Sequence, residues 1–480
     1  IAVCEITSMH DARWPLNQIA FAVIDLRRTE AWWREGLGFL PAGGNRLLFR
    51  PPLSDGQVQK LPGSAMTCWC MVGRNEWAQL EMFQYENLNS KLMPDDYLPN
   101  NIGYTRCGIW VDDFDAALAQ LDLIGTRPLT APVGKPGQRR VCVRNPDGVF
   151  VELMEDDPLP AKSSQGRLDC PVAIRTATLS TPDMGKSVDF VTQGLGMKEL
   201  PMVLHTDAHE ALWGLEGARC ERRVFVGGTD NETILLEIVQ YLQPLGKPLP
   251  ADYRLCDQGI LNICFGDARS GKGVYALREQ ALAHGAVATT PKVLDMKLVG
   301  CVYVDDPLGF SYEFMWATPG WAHKAFGFVP TRMDERPDLD NQRLVCSITI
   351  AASAEAVFAE LGDHEGMSAW AGLGHIRLDK PGLHERNGRF AERVVSSPVG
   401  SIREQITEWL PGQGYRYRII EGSPFVGYWG HIQLTQEGGL TRVEWSVRFR
   451  SRIPAMGGVL RKVMQGKFNV ALQALKQRLE

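Results

Sequence analysis

Four glutamates occupy one place in a recurring local pattern. Glu152 lies in Asn145-Pro146-Asp147-Gly148-Val149-Phe150-Val151-Glu152-Leu153, where a turn signal runs into an alternating apolar strand. Glu313 holds the same place in Asp306-Pro307-Leu308-Gly309-Phe310-Ser311-Tyr312-Glu313-Phe314. Glu81 in Gln79-Leu80-Glu81-Met82-Phe83 and Glu237 in Leu235-Leu236-Glu237-Ile238-Val239 repeat the strand alone. Carboxylates set among apolar neighbours serve structure through partners, or they serve acid and base chemistry when two of them must share a proton.

The elements that position them recur as well, so residues up to about 325 read as four copies of one unit. The first unit opens with a strand pattern over 17–26, continues as a helix over 29–35, and stops at Gly36-Leu37-Gly38-Phe39. The second opens over 107–111, with Asp113 before a helix whose Leu118, Leu121 and Ile124 share a face. The third opens over 173–180, with Asp183 and then Gly194-Leu195-Gly196-Met197; the fourth opens over 260–265, followed by a helix carrying Val274, Leu277 and Ala281. A polar, proline-bearing stretch over 156–166 separates the first two units from the last two.

From 319 to 343 the composition turns to Pro, Gly, Arg and Asp, which predicts a linker without a core. Beyond it come a strand over 344–350, a short helix capped by Ser353, five further strand patterns and a long closing helix. The closing helix places Leu460, Met464, Phe468, Leu472, Leu475 and Leu479 on one stripe. The expected boundaries are 1–158 for a first paired domain, 159–168 for a linker, 169–320 for a second paired domain, 321–340 for a linker and 341–480 for the last domain.

With 480 residues, 44% hydrophobic content and a net charge of -5, the chain can bury several cores and offers no basic stripe for nucleic acid. No stretch has the ~18 to 20 apolar residues of a membrane span, and a cytoplasmic protein is expected. The eleven cysteines sit mostly inside apolar strand patterns and read as buried free thiols, not as a zinc or disulfide framework.

The four-unit half resembles the vicinal oxygen chelate superfamily, which includes glyoxalase I, extradiol dioxygenases and bleomycin-resistance proteins and is built from paired βαβββ modules. The last part resembles the helix-grip fold of the polyketide cyclase and START-like proteins, which enclose one hydrophobic ligand between sheet and helix. The implied fold class is α+β, with four βαβββ modules paired into two cups and a helix-grip domain after them. In the vicinal oxygen chelate family a first-strand histidine and a last-strand glutamate hold a divalent metal. The glutamate places match Glu81, Glu152, Glu237 and Glu313, but the histidine places fall on Gln18, Arg106, Thr176 and Asn262, so no metal cofactor is expected.

Pairing consecutive modules would put Glu81 and Glu152 in one cup with Arg106 between them, as an anion clamp or salt-bridged remnant. It would put Glu237 and Glu313 in the other without a counter-charge, so that one is protonated and the two act as acid and base. Gln18, Thr176 and Asn262 would face the ligand, Trp110 would supply a stacking wall, and Tyr241 would line the second cup. His205 and His209 have an i, i+4 spacing but read as a loop leading into a helix over 210–215, at most touching substrate near the mouth of the cup. In the last domain Trp370, His375, Tyr428 and His431 are candidates for a cavity wall, with core packing the expected role.

The expected function is metal-independent acid and base chemistry, of isomerase, lyase or cyclase type, on a hydrophobic aromatic or polycyclic oxygenated small molecule. A metal-dependent dioxygenase or glyoxalase-type enzyme and a sequestering protein for a hydrophobic small molecule are the alternatives. No nucleic-acid or membrane partner is expected, and a homo-oligomer is compatible with modules that pair between subunits.

Overall fold

The structure, a computed structural model, describes residues 14–54, 56–159, 166–227, 234–267, 270–397 and 400–480. It divides into two compact units, 1–337 and 338–480. The polar linker expected after residue 158 lies partly outside the described residues.

The recurring unit forms for local reasons. Asp25, Asp113 and Asp183 each close a first strand and cap the helix after it, their side chains accepting from the backbone N–H of Arg28, Ala116 and Lys186. The turn before the glutamate strand is closed by a side chain at its first position. Asn145 Oδ1 accepts from Asp147 N and Val149 N, and Asp306 Oδ1 accepts from Leu308 N and Phe310 N. Gly148 and Gly309 sit at φ of 80° and 89° in those turns, a conformation that side-chain-bearing residues rarely take.

The modules do not pair in chain order. The first strand of module one, Leu16–Ala22, runs antiparallel to the first strand of module four, Gly259–Asp267, and parallel to its own glutamate strand, Gln79–Tyr85. Gly103–Val111 of module two pairs in the same way with Val172–Ser180 of module three. One nine-stranded sheet therefore holds modules one and four, and a seven-stranded sheet holds modules two and three. This corrects the expected division into paired domains 1–158 and 169–320: the two cups are nested along the chain, an outer one from modules one and four and an inner one from two and three.

Residues 321–337, expected as part of a linker, belong to the first unit. Phe326 and Phe328 are buried beside Met315 and Ala317, and Arg336 is fully enclosed in an ion pair with Glu30. Trp69 Nε1 donates to Pro337 O at 2.8 Å. The charged run tolerates this burial because its guanidinium has a carboxylate and an aromatic face, Trp69, on which to settle.

The second unit is a seven-stranded antiparallel sheet in the order Gln342–Ile350, Leu440–Ser451, Phe425–Glu437, Gly414–Glu421, Gly400–Leu410, Glu392–Ser397, His375–Lys380. The helix Gly457–Leu479 lays Phe468, Ala471, Leu472 and Leu475 into a core shared with Val443, Trp445 and Val447. Phe468 stacks on Trp445 with ring centroids 4.3 Å apart. Among the described residues no helix is long and apolar enough to cross a membrane.

Candidate functional site

Strand register fixes which residues can meet. Glu81, Glu152, Glu237 and Glu313 lie beside Ala20, Gly108, Thr178 and Cys264 of the first strands. Gln18, Arg106, Thr176 and Asn262 each stand two residues earlier, on the same face of the pleat, so the four positions are equivalent as expected. The nested pairing then assigns Gln18, Glu81, Asn262 and Glu313 to the outer cup, and Arg106, Glu152, Thr176 and Glu237 to the inner one.

In the inner cup every carboxylate is neutralised. His205, from the irregular segment before the short helix Asp207–Trp213, places Nδ1 2.7 Å from Glu237 Oε1 and Nε2 2.8 Å from Glu152 Oε2. Arg106 Nη2 donates to Glu237 Oε2 at 2.9 Å and Nη1 to the Tyr241 hydroxyl at 3.3 Å. Tyr241 and the Trp213 indole both donate to Glu210 Oε2, and Arg222 pairs with Glu210 Oε1. The Arg106 guanidinium lies 3.9 Å from the Trp213 ring centre.

Burial alone would push Glu152 and Glu237 up, but the charge and hydrogen bonds of His205, with the neighbouring arginines, hold both at about 2. The same carboxylates overcome the burial of His205 and raise it to about 9, so an imidazolium stands between them. The sequence reading of His205 as a contact at the mouth is corrected, because its ring is wholly buried at the centre.

The other inner-cup expectations change with it. Arg106 clamps Glu237 and not the Glu81–Glu152 pair. Glu237 is an ionised partner of two cations and cannot share a proton with Glu313, which lies in the other cup. Thr178, not Thr176, donates to Glu237, at 3.3 Å, while Thr176 fills the space above Gly108. Tyr241 belongs to the charge network instead of a ligand wall. Trp110 is engaged elsewhere, its indole donating to Glu155 O and its ring covered by Arg74 at 4.8 Å.

The outer cup is the electrostatic opposite. The Gln18 amide nitrogen donates to Glu81 Oε2 at 2.6 Å and to Glu313 Oε2 at 3.2 Å, while Gln18 Oε1 accepts from Gln79 at 2.6 Å. Cys68 donates to Glu81 Oε1 at 3.3 Å. Among the described residues no Lys, Arg or His forms an ion pair with either carboxyl. Burial, reinforced by the charge of Glu313, holds Glu81 well above the usual carboxylate range. Burial raises Glu313 toward about 7, with Tyr303, Cys301, Gln18 and Asn262 pulling it partly back. The pair therefore retains a proton at neutral pH.

Asn262 has neither amide atom in hydrogen-bond geometry with a partner, although it is fully buried and lies close enough to Glu313 to act on it. Small residues on the same face, Ala20 and Ala22, share a buried cluster with Leu61, Leu261 and Tyr303. Gln59 joins this cluster, donating to Tyr303 at 3.2 Å and accepting from Tyr85 at 2.9 Å.

A divalent metal of the kind the family implies does not fit the inner cup, where His205 engages both carboxylates with both ring nitrogens. The outer cup has suitable donors, since Cys68, Cys70 and Glu81 bring ligand atoms within 4.8 Å of one another beside Glu313. The thiols come from the middle strand Met66–Val72, a source that a search restricted to first-strand histidines overlooks.

In the second unit Tyr428 is buried with its hydroxyl 3.5 Å from that of Tyr417, Trp370 packs on the core, and His375 is exposed. The polar interior is instead built on Arg393, which donates to Glu404 at 2.8 Å, and on His364, kept neutral by burial and by Arg393.

Residues 17–143 match the glyoxalase/bleomycin resistance protein/dioxygenase superfamily, and residues 342–480 match the polyketide cyclase/dehydrase and lipid transport family. Among solved structures, a glyoxalase I mutant from Zea mays is 15% identical over 64% of this chain and 95% of its own, with a TM-score of 0.44. A putative dioxygenase from Bacillus subtilis is 14% identical over 65% of this chain and 88% of its own, at 0.45. A START superfamily protein from Mycobacterium smegmatis is 14% identical over 29% and 97%, at 0.27. A search of curated proteins returned no match.

Proposed function

For a chain that joins a part of the glyoxalase/bleomycin resistance/dioxygenase superfamily to a polyketide cyclase-type part, we propose that the outer cup is an acid–base active site acting on an oxygenated, hydrophobic small molecule. The observation that supports this reading is the Glu81–Glu313 pair, bridged by one amide and carrying no counter-cation among the described residues. The ionised carboxylate takes a proton from one atom of the substrate, and the protonated partner returns one to another. Net isomerisation, elimination or cyclisation follows without change in oxidation state. Gln18 holds the two carboxyls in register, and the buried Asn262 amide binds the carbonyl or hydroxyl on which charge develops. The inner cup is a structural counterpart in which His205 stands in the place of a cation, and the helix-grip unit binds a hydrophobic ligand related to the substrate.

A second reading, favoured by the Cys68, Cys70 and Glu81 cluster, is a metal-dependent site. Cys68, Cys70, Glu81 and Glu313 would hold the ion, which supplies Lewis acidity when bound. Infrared spectroscopy tests the first reading without a substrate. A buried carboxylic-acid band should persist at neutral pH and disappear when Glu81→Gln and Glu313→Gln are combined. Its absence from the wild-type protein would remove the shared proton and the mechanism with it.

A further inference from the structure

A cavity of about 510 Å³ lies outside both cups, between the two segments that connect module one to module two and module three to module four. Its size is that of a small-molecule site, roughly 300 to 1,000 Å³. The two connectors are clasped to each other at both ends. Lys91 N donates to Asp257, Gln258 N to Lys91 O, and Met93 N to Gln258 Oε1 at one end, while Ile102 N donates to Lys247 O at the other. Pro94, Pro248 and Pro250 stiffen the walls between these clasps. The chamber is therefore pre-formed and not a gap left by loose packing.

Its lining states what it would hold. Met93, Ile102, Leu249, Leu255, Ile260 and Phe310 supply an apolar surface, and the rings of Tyr97, Tyr104 and Tyr253 supply flat ones. Each lining cation is already paired: Lys60 with Asp305, Lys91 with Asp252, Lys247 with Asp96, and Arg254 with Asp257. A charged ligand would find no free partner there, and burying its charge would be costly.

We propose that this chamber is a binding site for a neutral, flat, largely apolar molecule. Gln59 and Leu61 line the chamber and also touch Tyr303 or its buried cluster, so its occupant lies one side chain from Tyr303 beside the carboxyl pair. The binding site does not depend on the acid–base reading, because no cup carboxyl lines it.

Calorimetric titration of the full chain with 1-naphthol and 1-tetralone tests the proposal, with 1-naphthalenesulfonate as the charged comparison. One saturable site per chain is expected for each neutral probe, with affinity at least about tenfold weaker for the sulfonate. Leu249→Trp, at a partly exposed wall position, should abolish that site. The carboxylic-acid band of the outer cup should be unchanged in Leu249→Trp, which separates a filled chamber from a misfolded unit. A crystal structure with 1-tetralone should show the ring between the two connectors. Failure of both neutral probes to bind, binding indifferent to Leu249→Trp, or density in the helix-grip unit alone would overturn the proposal.

Discussion

His205 Nδ1 lies 2.7 Å from Glu237 Oε1, and the other ring nitrogen reaches Glu152 with equal closeness. One imidazolium thus does for the inner cup what a metal ion does for two facing carboxylates, and it arrives from a loop instead of a strand. Removing it by His205→Leu leaves Glu152 and Glu237 buried with arginines alone. A loss of about 3 to 5 kcal/mol in the stability of the first unit is expected, as for a broken buried ion pair, and urea unfolding would measure it.

The pH dependence has a definite sign. His205 is raised from 6.5 to about 9, so its contribution is complete below 6.5 and is lost as pH rises through 9. Glu152 and Glu237, lowered from 4.5 to about 2, contribute fully above 4.5 and lose their contribution as pH falls through 2. The melting temperature should therefore fall as pH rises from about 6 to about 9.5, and His205→Gln should flatten that slope.

The outer cup adds a decline over a lower window. Glu313, raised from 4.5 toward about 7, favours the fold fully below 4.5 and loses that effect as pH rises through 7. Glu313→Gln should flatten the melting profile across this range and leave the protein no less stable at about pH 8. With a substrate in hand, the same change should lower kcat on the order of 10² to 10⁴ while binding persists.

Elemental analysis of protein purified without chelator or added metal should find far less than one transition-metal ion per chain. One tightly held ion, lost together in Cys68→Ser and Cys70→Ser, would instead return the metal-dependent reading to first place.

Phe468→Ala removes the ring that stacks on Trp445 under the closing helix of the second unit. A cost of about 3 to 5 kcal/mol in that unit is expected, with the infrared signature of the outer cup unaltered.

What could be read from the sequence is what local physics writes there. The aspartate caps, the turn before Glu152 and Glu313, and the two-residue offset that makes Gln18, Arg106, Thr176 and Asn262 equivalent all follow from near-neighbour chemistry. The family matches, over 17–143 and 342–480, agree with the vicinal oxygen chelate and helix-grip resemblances. Module pairing could not be read, because the alternation within Leu16–Ala22 specifies a buried strand but not whether its partner is 259–267 or 103–111. Mispairing then misplaced the chemistry, joining Glu237 to Glu313 and Arg106 to Glu81. His205 escaped for another reason: its loop has no period, and its role depends on carboxylates from two other segments. The signal that points to it is the cost of burying four strand glutamates with so few cations beside them.

The nesting of modules, with one and four enclosing two and three, also orders events on the ribosome. The inner sheet has all its strands once residue 243 has emerged, whereas Leu16–Ala22 must wait for Gly259–Asp267 before its open edge is covered. Of the four modules, the first is thus the earliest made and the latest completed. An unpaired apolar strand held through that interval invites wrong partners, so premature termination after module three, about halfway along the 480 residues, should yield an aggregating fragment.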